Sequence, residues 1–197
     1  VRRGGTEGAA RAIARLSCLL DPIAAKADVE GMGLKNTGGY IFYDGNNLNW
    51  LDPSKPAARQ YLCGLAKELA EMGFDEILLT DVSYPTEGKL DKIAYGETGK
   101  VQNLNAFLDE MRAALAEYDV KLSIELPAAA ISEGSDSQAG LTLTEIAPRV
   151  ARLYAATTED QVSALSQAVS AASGETEFVP ELTAAPTGLT GSWLVTG

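Results

Sequence analysis

The sequence contains no histidine among its 197 residues. This absence excludes Ser-His-Asp and Cys-His catalytic groups, and it excludes metal sites built on histidine ligands. Any acid–base chemistry must therefore come from aspartate, glutamate, tyrosine, lysine or cysteine side chains.

Cysteine is scarce as well, and long apolar runs are missing. Cys18 and Cys63 lie far apart, each in an apolar stretch, which predicts two buried thiols in the core and gives no information about the compartment. No apolar run reaches the roughly 18 residues that cross a membrane, so no membrane-spanning segment is predicted. The sequence begins at Val1 without methionine, which suggests a fragment or a processed chain, so the lack of a visible signal peptide says little about localisation.

Positive charge is in deficit. The chain has 16 Lys and Arg against 27 Asp and Glu, a net charge of −11. This balance argues against binding to nucleic acid or to an anionic membrane surface, and it is compatible with neutral substrates such as sugars. With 46% hydrophobic residues, the composition is that of a globular protein, and we expect one domain over residues 1–197.

The order of apolar runs and amphipathic stretches predicts alternating strands and helices. After a short Ala-rich helical segment near the start, strands are expected at 13–20, 74–81, 120–127, 149–157, 176–184 and 191–197. Helices are expected at 51–73, 101–117 and 157–173, with Asp52 or Ser54 capping the first and Thr158 and Gln161 forming a capping box in the third. Such an alternation indicates a parallel sheet covered by helices.

Two segments are predicted as loops. Residues 128–141 are small and polar, and residues 22–50 are rich in Gly and Asn, with a hairpin around "YIFY". Loops of the second length inside a compact domain usually carry function. Tyr43 and Trp50 in this loop are candidates for stacking on sugar rings, the alternative being that they are packing residues.

Carboxylates follow the predicted strands. Asp21, Asp81 and Glu125 each stand at the end of a strand, and Glu181 is a possible fourth. The carboxyl ends of parallel strands form the active-site edge of β/α barrels and of open α/β sheets. Because clustered carboxylates raise one another's pKa, one can keep a proton while another is ionised, as glycoside hydrolysis requires.

Less specific roles remain open for these carboxylates. An aspartate after a strand is often a helix cap or a turn former, and Asp21 before Pro22 is the most exposed to this alternative. Glu125 could pair with a basic residue such as Arg152 on the neighbouring strand. Asp21, Asp81 and Glu125 could also form an oxygen-ligand site for Mg²⁺ or Ca²⁺, although no dense acidic run supports one.

The blocks "IARLSCLLDP" and "WLDPSKPAARQYLCGLAKELAEMGFDEILLTDVSYP" resemble a bacterial family described as a "putative glycoside hydrolase domain", formerly a domain of unknown function. The match is strongest over residues 11–90, and "GFDEI" is its most specific piece. The positions that fall on the family pattern are Arg15, Asp21, Pro22, Trp50, Leu51, Asp52, Pro53, Gly73, Phe74, Asp75, Glu76, Ile77, Asp81 and Pro85.

This resemblance implies a TIM-like β/α barrel of which the chain supplies strands three to eight, with a site at the barrel mouth that includes Asp81. It implies a hydrolase of a polysaccharide or cell-wall glycan and favours an extracytoplasmic or cell-envelope location. The expected catalytic residues are Asp81, Glu125 and Asp21, and no cofactor or metal is expected. The expected sugar-binding residues are Trp50, Tyr43, Tyr84, Arg15 and Glu181.

One departure from the family pattern bears on activity. The family's "D-Y-(V/I)-R-F-P" is "DVSYP" here, so that Val82, Ser83 and Tyr84 replace the aromatic residue, the Arg position and the Phe. A copy without that Arg could be a non-catalytic carbohydrate-binding or structural relative, which is the alternative to the hydrolase. The glycan, the linkage and the oligomeric state do not follow from the sequence.

Overall fold

The computed structural model describes residues 11–196. In chain order the strands are β1 (Ile13–Ser17), β2 (Glu76–Thr80), β3 (Lys121–Glu125), β4 (Ser135–Asp136), β5 (Leu141–Thr142), β6 (Arg152–Ala156), β7 (Glu177–Leu182) and β8 (Leu194–Val195). The α-helices are α1 (Pro22–Ala27), α2 (Pro56–Glu71), α3 (Lys100–Leu115), α4 (Ala128–Glu133), α5 (Leu143–Ile146) and α6 (Val162–Ala172).

Six of these strands form one parallel sheet in the order β1-β2-β3-β6-β7-β8. The sheet curls into part of a TIM-like barrel, which confirms the predicted fold class, and within residues 11–196 β1 and β8 form its two edges. The remaining strands, β4 and β5, form a small antiparallel pair outside this sheet. They belong to the connection that leads along the chain from β3 to β6. Because all six strands run the same way, their carboxyl ends meet along one rim.

The two faces of the sheet differ in chemistry because side chains alternate along each strand. On one face, apolar side chains such as Ile77, Leu79 and Ile124 pack into the main core with the helices. The helix α3 contributes Leu104, Leu108, Met111 and Leu115 to this core, all of them buried. The opposite, inner face carries a small apolar cluster and several charged groups.

A buried carboxylate ties four strands together on the inner face. Glu76 has no exposed surface. One of its oxygens accepts hydrogen bonds from the Ser123 hydroxyl at 2.6 Å and the Tyr154 hydroxyl at 2.9 Å. The other accepts from Nη1 of Arg152 at 2.6 Å, and Nε of Arg152 donates to Glu177 at 2.7 Å. The charge on Glu76 is therefore paired and its oxygens are satisfied, which a buried ion requires.

Two predicted helix caps are wrong. The helix α2 begins at Pro56, and the preceding Lys55 makes no side-chain capping bond, while Asp52 accepts hydrogen bonds from the amide and hydroxyl of Ser54 in the turn before. The helix α6 begins after a 3₁₀ turn, and the Gln161 side chain accepts from Thr157. Proline at the first helical position starts α2 without a cap because its fixed φ already suits the helix.

The predicted loops are only partly correct. Residues 128–141 contain α4 and the start of the β4–β5 pair, because an Ala-rich turn forms a helix that ends at Gly134 in the left-handed conformation. Residues 22–50 contain the short helix α1 and then an irregular loop, in which "YIFY" forms a single bridge at Ile41 instead of a strand. The predicted Ala-rich helical segment near the start lies outside the described residues.

No helix in the described part of the chain is both long enough and apolar enough to span a membrane.

We predict that Arg152→Met destabilises the fold by about 3–5 kcal/mol, because it leaves the buried Glu76 carboxylate without its cation. The free energy of unfolding from urea titration measures this effect. Lys92→Met is the control, because Lys92 and its partner Asp91 form an exposed ion pair and its loss should leave stability unchanged. Equal stability of the two variants would contradict a structural role for the buried pair.

Candidate active site

A cavity of about 230 Å³ opens at the rim where β2, β3 and β6 end. It brings together the carboxylates of Asp81 and Glu125, two of the three predicted catalytic residues. The residues that line it are Thr80, Asp81, Val82, Ser83, Glu125, Leu126, Pro127, Ala128, Leu141 and Ala156.

Asp81 is held in an unusual backbone conformation directly after β2. Its φ is 55°, in the left-handed region that non-glycine residues rarely adopt. Its Oδ2 accepts hydrogen bonds from the hydroxyls of Ser17 at 2.7 Å and Thr80 at 3.1 Å. Its carbonyl accepts from the Leu19 amide, so that both backbone and side chain are attached to β1 and β2. Such strain is typical of functional sites.

Ser17 and Thr80 were not identified from the sequence. They are the last residues of β1 and β2 and stand opposite each other in the parallel register. Hydroxyl residues at the ends of paired strands indicate hydrogen-bond donors for a nearby carboxylate. The pairing of Ser17 with Thr80 becomes visible only when the register of the two strands is known.

Glu125 is the last residue of β3 and shares an arginine with a second glutamate. Nη2 of Arg15 donates to Oε2 of Glu125, and Nη1 of Arg15 donates to Oε1 of Glu181 at 2.9 Å. Glu181, on β7, is buried, whereas Glu125 is half-buried. Arg15 therefore joins three strands at the rim and lies between two carboxylates that would otherwise repel each other.

The pKa of Glu125 is raised above the ordinary value for glutamate. Burial is the largest cause, and the negative charges of Glu181 and Asp81 also raise it, while the positive charge of Arg15 lowers it. Burial and like charges both disfavour the ionised carboxylate, so Glu125 holds a proton more readily than an ordinary glutamate does. Asp81 and Glu125 line the same cavity, so their negative charges belong to one site.

Asp21 does not face this cavity. Its Oδ1 accepts hydrogen bonds from the amides of Ile23 at 3.1 Å and Ala24 at 2.9 Å, and its Oδ2 accepts from the Tyr61 hydroxyl at 3.2 Å. Asp21 is thus the N-cap of α1, the alternative stated for it above, and it does not join Asp81 and Glu125.

The predicted aromatic platforms are mostly packing residues. Trp50 is 8% exposed, and its indole Nε1 donates to Asp44 at 2.8 Å. Tyr84 is 1% exposed, and its hydroxyl accepts from the Asn103 amide at 3.0 Å. Neither ring is open to a sugar. Tyr43 is 46% exposed and is the one predicted sugar-binding aromatic with an accessible ring.

The suggested pairing of Glu125 with Arg152 is wrong, since Arg152 binds Glu76 and Glu177. The alternative of a Mg²⁺ or Ca²⁺ site also finds no support. Within residues 11–196, no three histidine, cysteine or acidic side chains lie close enough together to hold a metal ion. With Asp21 engaged as a helix cap, the three-carboxylate set for that site is not assembled.

The cysteines are buried and free, as predicted. Burial raises the pKa of Cys18 well above its ordinary value, with a further contribution from the charge of Asp81, and burial also raises the pKa of Cys63. Both are therefore neutral thiols at physiological pH and poor nucleophiles. The acid–base groups at the rim are carboxylates.

Comparison with known proteins places the chain among carbohydrate-active folds. The family model described as "Putative glycosyl hydrolase domain" matches residues 6–155. A crystal structure of a hypothetical protein from Ruminiclostridium thermocellum is 32% identical, with a TM-score of 0.51, and the match covers 58% of this chain and 57% of that one. No curated protein sequence matches the chain.

Two further solved structures share the fold at low identity. Aspergillus fumigatus Ega3, in a complex with galactosamine, is 11% identical with a TM-score of 0.54, and the match covers 87% of this chain and 60% of that one. The glycoside hydrolase domain of Pseudomonas aeruginosa PelA, variant E218A, is 16% identical with a TM-score of 0.51, covering 87% and 66%. The chain thus spans less than two thirds of the length of each of the three structures.

The left-handed conformation of Asp81 predicts an unusual order of stabilities. Asp81→Ala and Asp81→Gly both remove the carboxylate, but only glycine adopts this φ freely, so the glycine variant should be more stable by about 1 kcal/mol. Urea unfolding of both variants measures the difference. At the neighbouring Ser83, which has an ordinary negative φ, the alanine variant should be the more stable of the pair. The same order at both positions would contradict strain at Asp81.

Proposed function

The chain belongs to the "Putative glycosyl hydrolase domain" family, and on that premise we propose that it hydrolyses a polysaccharide or cell-wall glycan with Asp81 and Glu125. The observation that carries this proposal is the single rim cavity that both carboxylates line. Two carboxyl groups flanking one glycosidic bond are what most glycoside hydrolases use.

Glu125 is the proposed general acid. Its raised pKa favours the protonated form, so it can give its proton to the glycosidic oxygen as the bond to the anomeric carbon breaks. Asp81 is the proposed partner carboxylate, and the hydroxyls of Ser17 and Thr80 fix its orientation. It either attacks the anomeric carbon or takes a proton from an attacking water, and the stereochemistry of the product decides between these routes.

Arg15 is proposed to position Glu125 and set its pKa instead of contacting sugar. Both ends of its guanidinium are occupied by Glu125 and Glu181. Removing its positive charge would raise the pKa of Glu125 further, because the remaining influences are burial and the negative charges of Glu181 and Asp81.

A non-catalytic glycan-binding relative is the second candidate. It is favoured by the ion pair between Arg15 and Glu125, which competes with protonation of the acid, and by Ser83 at the position of the family's Arg. Glu125 is only half-buried and still lines the cavity, so the pair does not remove it from a substrate. Binding of a glycan without release of reducing ends would support this candidate.

The hydrolase proposal predicts release of reducing ends from at least one polysaccharide in a panel that includes chitosan, chitin, cellulose, xylan and peptidoglycan. Asp81→Asn and Glu125→Gln should each lower the rate by about 10²–10⁴, the usual contribution of a positioned acid or base. Asp21→Asn is the control, since Asp21 does not line the cavity and asparagine caps a helix as well as aspartate does, so the rate should be unchanged. Activity that survives in both site variants would contradict the proposed roles.

The pH dependence of kcat/KM tests Arg15. Glu125 must be protonated to act, so activity falls as pH rises through its pKa, and this alkaline limb should move to higher pH in Arg15→Gln. Arg15→Lys, which keeps the charge, should return the limb towards the wild-type position. An alkaline limb that stays in place in Arg15→Gln would show that Glu125 is not the acid or that Arg15 does not set its pKa.

A further inference from the structure

A second and larger cavity, of about 600 Å³, lies between the loop after β1 and the loop after β2. Its volume falls in the range of roughly 300–1,000 Å³ that is common for ligand sites, whereas the rim cavity is smaller. The residues that line it are Asn36, Ile41, Phe42, Tyr43, Asp44, Gly88, Lys89 and Lys92.

The two loops are joined to each other, so that the walls of this loop cavity are fixed. The Thr37 amide donates to the Lys92 carbonyl at 2.8 Å, and the Asn46 side-chain amide donates to Glu87 at 3.0 Å. At Gly88, with φ of 100°, an added Cβ would lie 2.9 Å from the backbone nitrogen of Gly45, so only glycine allows the loops to approach this closely. The cavity is formed before any ligand binds.

The lining of the loop cavity suits a neutral sugar ring. Ile41 and Phe42 supply apolar surface, Tyr43 supplies an aromatic ring that is 46% exposed, and Asn36 and Lys89 supply polar groups. Such a combination matches a sugar, which has apolar C–H faces and a rim of hydroxyls.

The charges around the loop cavity nearly cancel. Lys89 and Lys92 line the cavity, and the ammonium of Lys26 lies 5.9 Å from the centre of the Tyr43 ring. The negative charges are Asp44 in the lining, Asp91 beside Lys92, and Glu87 beside Asn46. Because these three positive and three negative side chains offset one another, the cavity favours a neutral unit over an anionic or cationic one.

We propose that the loop cavity is a subsite for a neutral sugar unit of a long glycan chain, a site separate from the place of bond cleavage. This inference rests on the proposed function, and it narrows the substrate to a polymer. The loop after β2 connects the two cavities. Asp81 and Ser83 on that loop line the rim cavity, and Gly88 and Lys89 further along it line the loop cavity. One chain could therefore contact both.

Binding to neutral oligosaccharides tests the subsite. Trp50 donates its indole hydrogen to Asp44 on the cavity wall, so its fluorescence should report occupancy once the other tryptophan is removed by Trp193→Phe. In a Glu125→Gln background, which prevents turnover, the hexamer of at least one of cellulose, chitin or laminarin should bind about tenfold more tightly than its own dimer.

Matched tyrosine variants locate the binding. Tyr43→Ala should remove the tenfold advantage of the hexamer, whereas Tyr40→Ala should keep it, since Tyr40 lies on the same loop and is 76% exposed but does not line the cavity. Hexamers that bind no better than dimers, or that bind equally well to Tyr43→Ala, would overturn the inference. Tighter binding of hexagalacturonate than of every neutral hexamer would also overturn it.

Turnover separates this inference from the proposed function. A polysaccharide that is hydrolysed with the same KM by the wild type and by Tyr43→Ala would refute the subsite and leave the hydrolase proposal intact. Tyr43-dependent binding of a hexamer without any hydrolysis would support the subsite and refute the hydrolase. If Tyr43→Ala raises KM for the polymer about tenfold and leaves kcat unchanged, both stand.

Discussion

The pairing of buried and half-buried carboxylates with two arginines organises the inner face of this sheet. Arg152 holds Glu76 and Glu177, and Arg15 holds Glu125 and Glu181. A complete TIM barrel is usually filled by branched apolar side chains, which need no partners. Here the charges must be paired within the sheet, so each arginine links its own strand to the two strands that carry its partners.

The carboxylates held by the two arginines differ in exposure. Glu76 is buried and has a structural role, whereas Glu125 is half-buried and is the one proposed to take part in chemistry. Glu76 is sealed from water and each of its oxygens accepts a hydrogen bond, so it serves as a fixed link between strands. Glu125 lines an open cavity, with burial and two carboxylates opposing its charge and one arginine favouring it. A carboxyl group with a raised pKa in an open cavity is a candidate for acid–base chemistry, whereas Glu76 has no access to a substrate.

The sequence was sufficient for the six strands of the parallel sheet and for the position of Asp81 and Glu125 at strand ends, because apolar runs that end in a carboxylate are local features. It was insufficient for Asp21, where the same local pattern produces a helix cap, and for Trp50, whose partner Asp44 becomes visible only when the loop is folded. The partners of Arg15 lie 110 and 166 residues away along the chain, and only the register of the sheet brings them together. Contacts of this range cannot be read from periodicity.

The three residues after Asp81 that depart from the family pattern, Val82, Ser83 and Tyr84, lie in different environments. Val82 and Tyr84 are buried, so these two changes alter packing, while Val82 and Ser83 both line the rim cavity and Ser83 is the polar residue of the two. The lining contains no lysine or arginine, so the guanidinium of Arg15, which reaches Glu125 from β1, is the cation that offsets the rim carboxylates within the described residues. If an arginine at position 83 offsets the negative charge of the rim carboxylates in other members of the family, Arg15 must do so alone here. Any catalytic activity of this chain then depends on Arg15.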